Sequence, residues 1–400
     1  MMHRRLQIRR VARAAAVSFI LAAPLGTAAG LPVFAIERAS DQAAAPSRQK
    51  PAKKGPMEKL NEPWPDAAKM EQRRAESERL ALFASAEPLV ITISADFDAI
   101  NKIRQPDSPK RLPGVLELAG EGGKTVSFPV QLGSRGHLRL NPRTCSMVPL
   151  RVEFTKTGVK GSVFDGQSGL KLVTHCQNDT EYEQNVLAEY LAYRISSLFT
   201  PLSYRARLVK ATYVDSGKHK SIGTRYAVFI EDDDDVARRN GGRIIPLPNQ
   251  VFKLLDQDSL MVMSLLQFML GNTDYSIIKL HNVRLIQPPE GPLRTIAYDF
   301  DLAGLVNARY AIPPRELGIA TVRDRYYRGP CLSVEQLEPW LAKFRSKQGE
   351  VMALVDAVPG FESARRRDSG EFLGDFFSIV NSGSRTKRLL VDRCPRVGGM

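Results

Sequence analysis

Between Gly271 and Gly304 the chain carries two short β-type apolar runs joined by a few turn residues. One is opened by Asn282 and continues Val283-Arg284-Leu285; the other is Thr295-Ile296-Ala297. Gly271-Asn272-Thr273-Asp274 leads into the first, and Tyr298-Asp299-Phe300-Asp301 closes the second. Any fold containing this stretch must bring an Asp before one strand, an Asn at its start and an Asp at the end of the next into one neighbourhood. Upstream, Asp258 to Leu270 is apolar through Leu260, Met261, Met263, Leu265, Leu266, Phe268 and Met269, which predicts a helix buried on most sides. Its methionines read as core.

Such a set of oxygens suits a divalent metal and a phosphate. Mg²⁺ takes hard oxygen ligands, usually one or two carboxylates with phosphate oxygens and water. Phosphoryl transfer needs that metal and a further carboxylate to orient the attacking hydroxyl. The stretch resembles the catalytic segment of CotH (spore-coat protein H) kinases and, more distantly, of HipA-type and other protein-kinase-like enzymes. In these a Gly-Asn-x-Asp turn, a following Asn and a Tyr-Asp or Asp-Phe-Asp strand end carry the chemistry. The resemblance implies that Asp274 orients the acceptor, that Asn282 and Asp299 bind metal, and that Asp301 is a second-metal ligand. It implies ATP with Mg²⁺ or Mn²⁺. His281 could hold the loop or be a packed or solvent-facing histidine. Asp274 and Asn282 are eight residues apart, wider than in HipA-type kinases, so Ile277 to Leu280 must loop out or begin a strand early.

Upstream, Leu132-Gly133-Ser134-Arg135-Gly136 resembles the Gly-x-Arg-Gly stretch that precedes the nucleotide lobe in CotH-type proteins. Lys171 lies in the strand-like Leu170-Lys171-Leu172-Val173, and Glu181 to Phe199 has helical periodicity. The kinase pattern makes Lys171 and Glu189 an ion pair that places nucleotide phosphates, with Glu183 as fallback partner. The plainer alternative is a solvated lysine and a rim charge. Glu231 ends the second of two strands, Ala206–Tyr213 and Thr224–Ile230, where the resemblance puts backbone contacts to adenine. Asp232 to Asp235 read as a solvated acidic turn or helix start. Gly158, Gly161, Gly166 and Gly169 do not follow Gly-x-Gly-x-x-Gly and fit a phosphate loop no better than a flexible hairpin.

Residues Met1 to Arg13 carry five arginines and no acid, followed by an apolar run to Ala23 and small residues, as in a secretory signal. Cleavage after Ala35 would lower the net charge from +14 to +9, five arginines and no acids being lost, and leave a basic chain suited to anionic partners. Scattered basic residues without aromatic interleaving argue against a nucleic-acid platform. Four cysteines fit two disulfides in an exported protein, with Cys145–Cys176 the favoured pair; a zinc site would use His175 and Cys176, with His281 as an optional third ligand, without any Cys-x-x-Cys. No Gly-x-Ser-x-Gly or His-Glu-x-x-His is present, which disfavours the common hydrolases.

Alternating apolar runs at Leu89–Ser94, Val115–Leu118, Thr125–Leu132, His137–Leu140 and Leu150–Phe154 predict antiparallel strands, with Gly120-Glu121-Gly122-Gly123 as a hairpin turn. Arg323, Arg325 and Arg328 with Tyr326 and Tyr327 form a basic aromatic cluster, either an acidic-substrate site or an amphipathic rim. Ser333 and Gln336 predict a capping box, with a kink or restart at Pro339. The expectation is an α+β, atypical protein-kinase-like, two-lobed fold with an N-terminal antiparallel β region and an α-rich C-terminal lobe. Residues 1–35 are the signal, 36–86 a disordered linker and short helix, and 87–155 the β region. Residues 156–385 are the kinase-like domain (lobes about 156–231 and 236–385), and 386–400 a tail. The expected function is an exported, periplasmic or extracellular kinase acting on a protein Ser/Thr or other hydroxyl acceptor, with no transmembrane segment and no specific nucleic-acid partner. The rivals are an inactive CotH-like binding or adhesion protein of the cell envelope and an AMP-transferring enzyme.

Overall fold

The computed structural model describes Glu58 and residues 61–119, 124–250 and 252–394. The expected signal sequence, most of the expected linker and the expected hairpin turn at 120–123 lie outside the described residues. After helix α1 (Ala67–Glu78) come strands β1 (Leu89–Ala95), β2 (Leu112–Ala119), β3 (Thr125–Ser134), β4 (Leu150–Phe154) and β5 (Gly169–Val173). Helix α2 (Thr180–Phe199) leads to β6 (Ala206–Asp215), β7 (Lys220–Ile230), α3 (Asp233–Arg239) and β8 (Arg243–Ile245). Helix α4 (Gln257–Leu270), β9 (Val283–Gln287) and β10 (Arg294–Ala297) carry the candidate stretch. Helices α5 (Val334–Ser346), α6 (Gln348–Ala357) and α7 (Ser363–Val380) follow.

The chain does not adopt the expected two-lobed kinase architecture, although it is α+β overall. Seven strands close into one mixed barrel in the order β1-β2-β3-β4-β5-β7-β6, sealed by parallel pairing of β1 with β6 from Leu89↔Val209 to Ala95↔Asp215. Strands assigned from sequence to a separate β region and to an N-lobe therefore share one wall. The reason is the period-2 burial of the strands. On β6 and β7, Val209, Ala211, Tyr213, Ala227 and Phe229 enter the barrel core, while Leu208, Val228 and Ile230 face outward into a helical core with α2. A closed barrel leaves no unpaired edge.

His137–Leu140, expected as a strand, is a 3₁₀ turn at Leu138–Leu140. The capping box forms, Ser333 Oγ accepting from Gln336 N and Gln336 Oε1 from Ser333 N, and α5 runs through Pro339 as one helix. Disulfides join Cys145 to Cys176 and Cys331 to Cys394, so Cys176 is not a zinc thiolate. Among the described residues, no helix is long and apolar enough to cross a membrane.

Helix α4 ends at Gly271, whose φ of 64° is left-handed. A Cβ there would lie 2.8 Å from the Phe372 ring and 3.2 Å from Gly304 Cα. Gly304 N donates to Gly271 O at 3.0 Å and Leu305 N to Leu270 O at 3.0 Å. The two glycines bracketing the candidate stretch thus lie back to back, which folds the stretch into a loop standing on the end of α4.

Candidate functional site

Asp274 is fixed from several sides. Its N–H donates to Asn272 Oδ1 at 3.0 Å, its carboxylate Oδ1 lies 3.0 Å from His281 Nε2, and Oδ2 accepts from Asn282 Nδ2 at 2.9 Å. Asn282 Nδ2 also reaches Asp274 O at 2.8 Å, so the amide oxygen is the atom left to face a ligand. The extra residues between Asp274 and Asn282 loop out. A bridge between Ser276 and His281, with N–H···O distances of 2.9 and 3.0 Å, closes the loop and returns Asn282 to Asp274. Leu280 and Asn282 take left-handed φ values of 52° and 53° to make that return, and Asp299 at the end of the next strand has φ 62°. Left-handed backbone at non-glycine residues costs energy and clusters where geometry is over-determined, at functional sites above all.

Arg328 clamps the same turn, its Nη1 donating to Thr273 O at 2.7 Å and Tyr275 O at 2.8 Å, either side of Asp274. Arg323 pairs with Asp368 and reaches Gly304 O; Arg325 pairs with Asp375 and reaches Met269 O. The basic aromatic cluster is therefore neither a substrate site nor a rim: it straps the site to α7.

Asp299 N donates to Tyr193 Oη at 3.0 Å, and its carboxylate has no hydrogen-bond partner among the described residues. Asp301 accepts from Tyr310 Oη at 3.4 Å. Burial, then Asp299 and Asp274, pushes the Asp301 carboxyl up to about 7 against the pull of Arg139. Glu189, on the inner face of α2, is almost fully buried and also shifted well upward, by burial and then by Asp301 and Asp299. Both acids bind protons more tightly folded than unfolded. The stability they lend is complete below the ordinary carboxylate range and is lost as pH rises towards 7. Metal-free protein should therefore lose urea stability from about pH 4 to 7, and Asp301→Asn should flatten that decline. An unchanged slope in Asp301→Asn would place its origin elsewhere.

The expected Lys171–Glu189 pair does not form. Lys171 Nζ lies 2.6 Å from Asp233 Oδ1, and Glu189 instead faces Asp301, Asp299, Arg139 and Arg135. Asp232 to Asp235 open α3, the helix start that was one of the two expectations, with Asp234 exposed and the other three paired. Asp232 pairs with Arg151, Asp233 with Lys171 and Arg284, and Asp235 with Arg238. Glu231 is fully buried between Arg205 and Arg239, and its N–H is spent on Arg205 O at 3.0 Å. That amide is unavailable to an adenine ring.

No protein-family model matches this chain, and no curated protein matches it. Among the described residues, no three His, Cys, Asp or Glu side chains are gathered to hold a metal unaided. Asp299, Asp301 and the Asn282 amide oxygen are hard-oxygen donors of the kind Mg²⁺ or Mn²⁺ takes alongside phosphate and water. Sequence reasoning missed Arg139, Tyr193 and Tyr310. Arg139, buried and donating to Thr174 O, is the cation that most opposes the upward shifts of Asp301 and Glu189. Its only sequence signal was its place four residues after Arg135 in the Gly-x-Arg-Gly stretch.

Proposed function

We propose that this chain transfers the γ-phosphoryl group of ATP to a protein Ser/Thr or other hydroxyl acceptor, with site chemistry akin to that of CotH-type kinases, and that it works as an exported protein. The observation that carries the reading is the convergence of Asp274, Asn282 and Asp299, up to 25 positions apart in sequence, with left-handed backbone at Leu280, Asn282 and Asp299. Asp274, braced by His281 and Asn282, orients the acceptor hydroxyl and draws off its proton. Asp299, Asp301 and Asn282 Oδ1 would hold a divalent ion, which would supply charge neutralisation at the phosphates. The two disulfides accord with export.

A second reading, an inactive ligand-binding protein of the cell envelope, is favoured by one observation: Tyr204, Tyr298, Arg284 and Asp233 crowd Lys171. The test is incubation of oxidised protein with ATP and Mn²⁺, followed by intact mass. A gain of about 80 Da means phosphoryl transfer and about 329 Da means AMP transfer. Absence of metal-dependent ATP binding by folded protein overturns both enzymatic readings.

A further inference from the structure

Asp233, the first residue of α3, reaches across to β5 and β9. Its Oδ1 accepts from Lys171 Nζ at 2.6 Å and Tyr204 Oη at 3.2 Å, and its Oδ2 accepts from Arg284 Nε at 3.1 Å. The two cations rest on one aromatic floor, Arg284 Cζ 4.3 Å and Lys171 Nζ 5.2 Å from the Tyr298 ring centre. A third cation, Arg135, stands close enough to disfavour protonation of Lys171, and its side chain has no hydrogen-bond or ion-pair partner among the described residues. Two positive groups therefore hold one carboxylate, with the third charge on the Lys171 side. The pair is not sealed: the side chains of Lys171, Asp233 and Arg284 keep 16%, 26% and 28% of their surface exposed. Two oxygens of one anion bridged by a lysine and an arginine is also how a phosphoryl group is held.

We propose that Asp233 acts as an internal stand-in for phosphate: in the ligand-free chain its carboxylate fills the subsite in which Lys171 and Arg284 receive a phosphoryl group, and an incoming phosphate must displace it. The ligand class rests on the phosphotransferase reading; the displacement does not require catalysis. The exchange is physically reasonable because a polyanion replaces a monoanion among surplus cations, and Asp233 returns to water with the first turn of a short helix. Affinity is lowered by the fraction of molecules in which the subsite is already filled.

Pyrophosphate in EDTA, without nucleotide or metal, is the probe. Asp233→Asn should bind it about tenfold or more tighter than wild type, whereas Asp234→Asn, with the same charge change on an exposed neighbour, should not. Asp233→Asn should melt below wild type, and pyrophosphate should recover the difference. Should Asp233→Asn not fold, titration of wild type should shift the Arg284 Nε–H and Asp233 amide resonances together. Equal affinities for Asp233→Asn and wild type, equal gains in both Asn variants, or titration that moves neither resonance, overturns the proposal. A chain that binds no ATP yet gains pyrophosphate affinity in Asp233→Asn keeps this inference and loses the kinase; metal-dependent ATP binding without that gain does the reverse.

Discussion

Asp299→Ala should abolish metal-dependent ATP binding, while Asp274→Asn should leave binding within about twofold and lower the rate of transfer by about 10²- to 10⁴-fold, the usual contribution of a positioned acid–base group. The two acids stand in different places. Asp299 lies two residues beyond β10 with its backbone pinned by Tyr193 and its carboxylate without a hydrogen-bond partner among the described residues, as a metal ligand requires. Asp274 has both carboxylate oxygens in hydrogen bonds, to His281 and Asn282, which holds it in one orientation without making it a ligand. Asparagine keeps the size of Asp274 and removes the charge, so a loss confined to turnover identifies a role in the transfer itself. Calorimetric titration with Mn²⁺–ATP and single-turnover kinetics separate the effects. Equal loss of binding in both variants would mean that the turn is a scaffold and that Asp274 has no chemistry of its own.

What the chain revealed in advance follows from the range of the interactions. Local patterns were legible: the strand periodicities, the buried helix before Gly271, the capping box at Ser333 and Gln336, and the Cys145–Cys176 pair. The loop between Asp274 and Asn282 was legible as a surplus of residues, and the Ser276–His281 bridge is what that surplus becomes. Barrel closure was not legible. It depends on parallel pairing of β1 with β6, more than a hundred positions apart, and no local signal distinguishes a closing edge from an open one. The Lys171 partner was hidden for a related reason. A helix periodicity places Glu189 on the inner face of α2 but does not fix how deep α2 sits, and at the depth adopted Glu189 meets Asp301 while Asp233 arrives from the other side.

Glu231→Ala should destabilise the protein by about 3–5 kcal/mol, the scale for breaking a buried charge pair from one side. Glu231 has no exposed side-chain surface. Its Oε2 accepts from Arg205 N at 2.9 Å and Arg239 Nη2 at 3.0 Å, and its Oε1 from Arg205 Nε at 2.9 Å and Arg239 Nε at 3.2 Å. The two arginines extend the network: Arg205 donates to Ser77 O and Glu78 O at the end of α1, and Arg239 to Pro201 O and Ser203 O after α2. One carboxylate thus joins the N-terminal helix, the end of α2, the last barrel strand and α3. Its removal leaves two guanidinium groups facing each other with their counter-charge gone, a cost larger than the hydrogen bonds alone. Glu231→Gln keeps the shape and loses the charge, so it should fall between alanine and wild type. Urea denaturation at pH 7 measures both. A role confined to adenine recognition would instead leave the denaturation midpoint of the ligand-free protein unmoved and change only nucleotide affinity, an outcome that four bonds to one buried carboxylate make hard to reconcile with the fold.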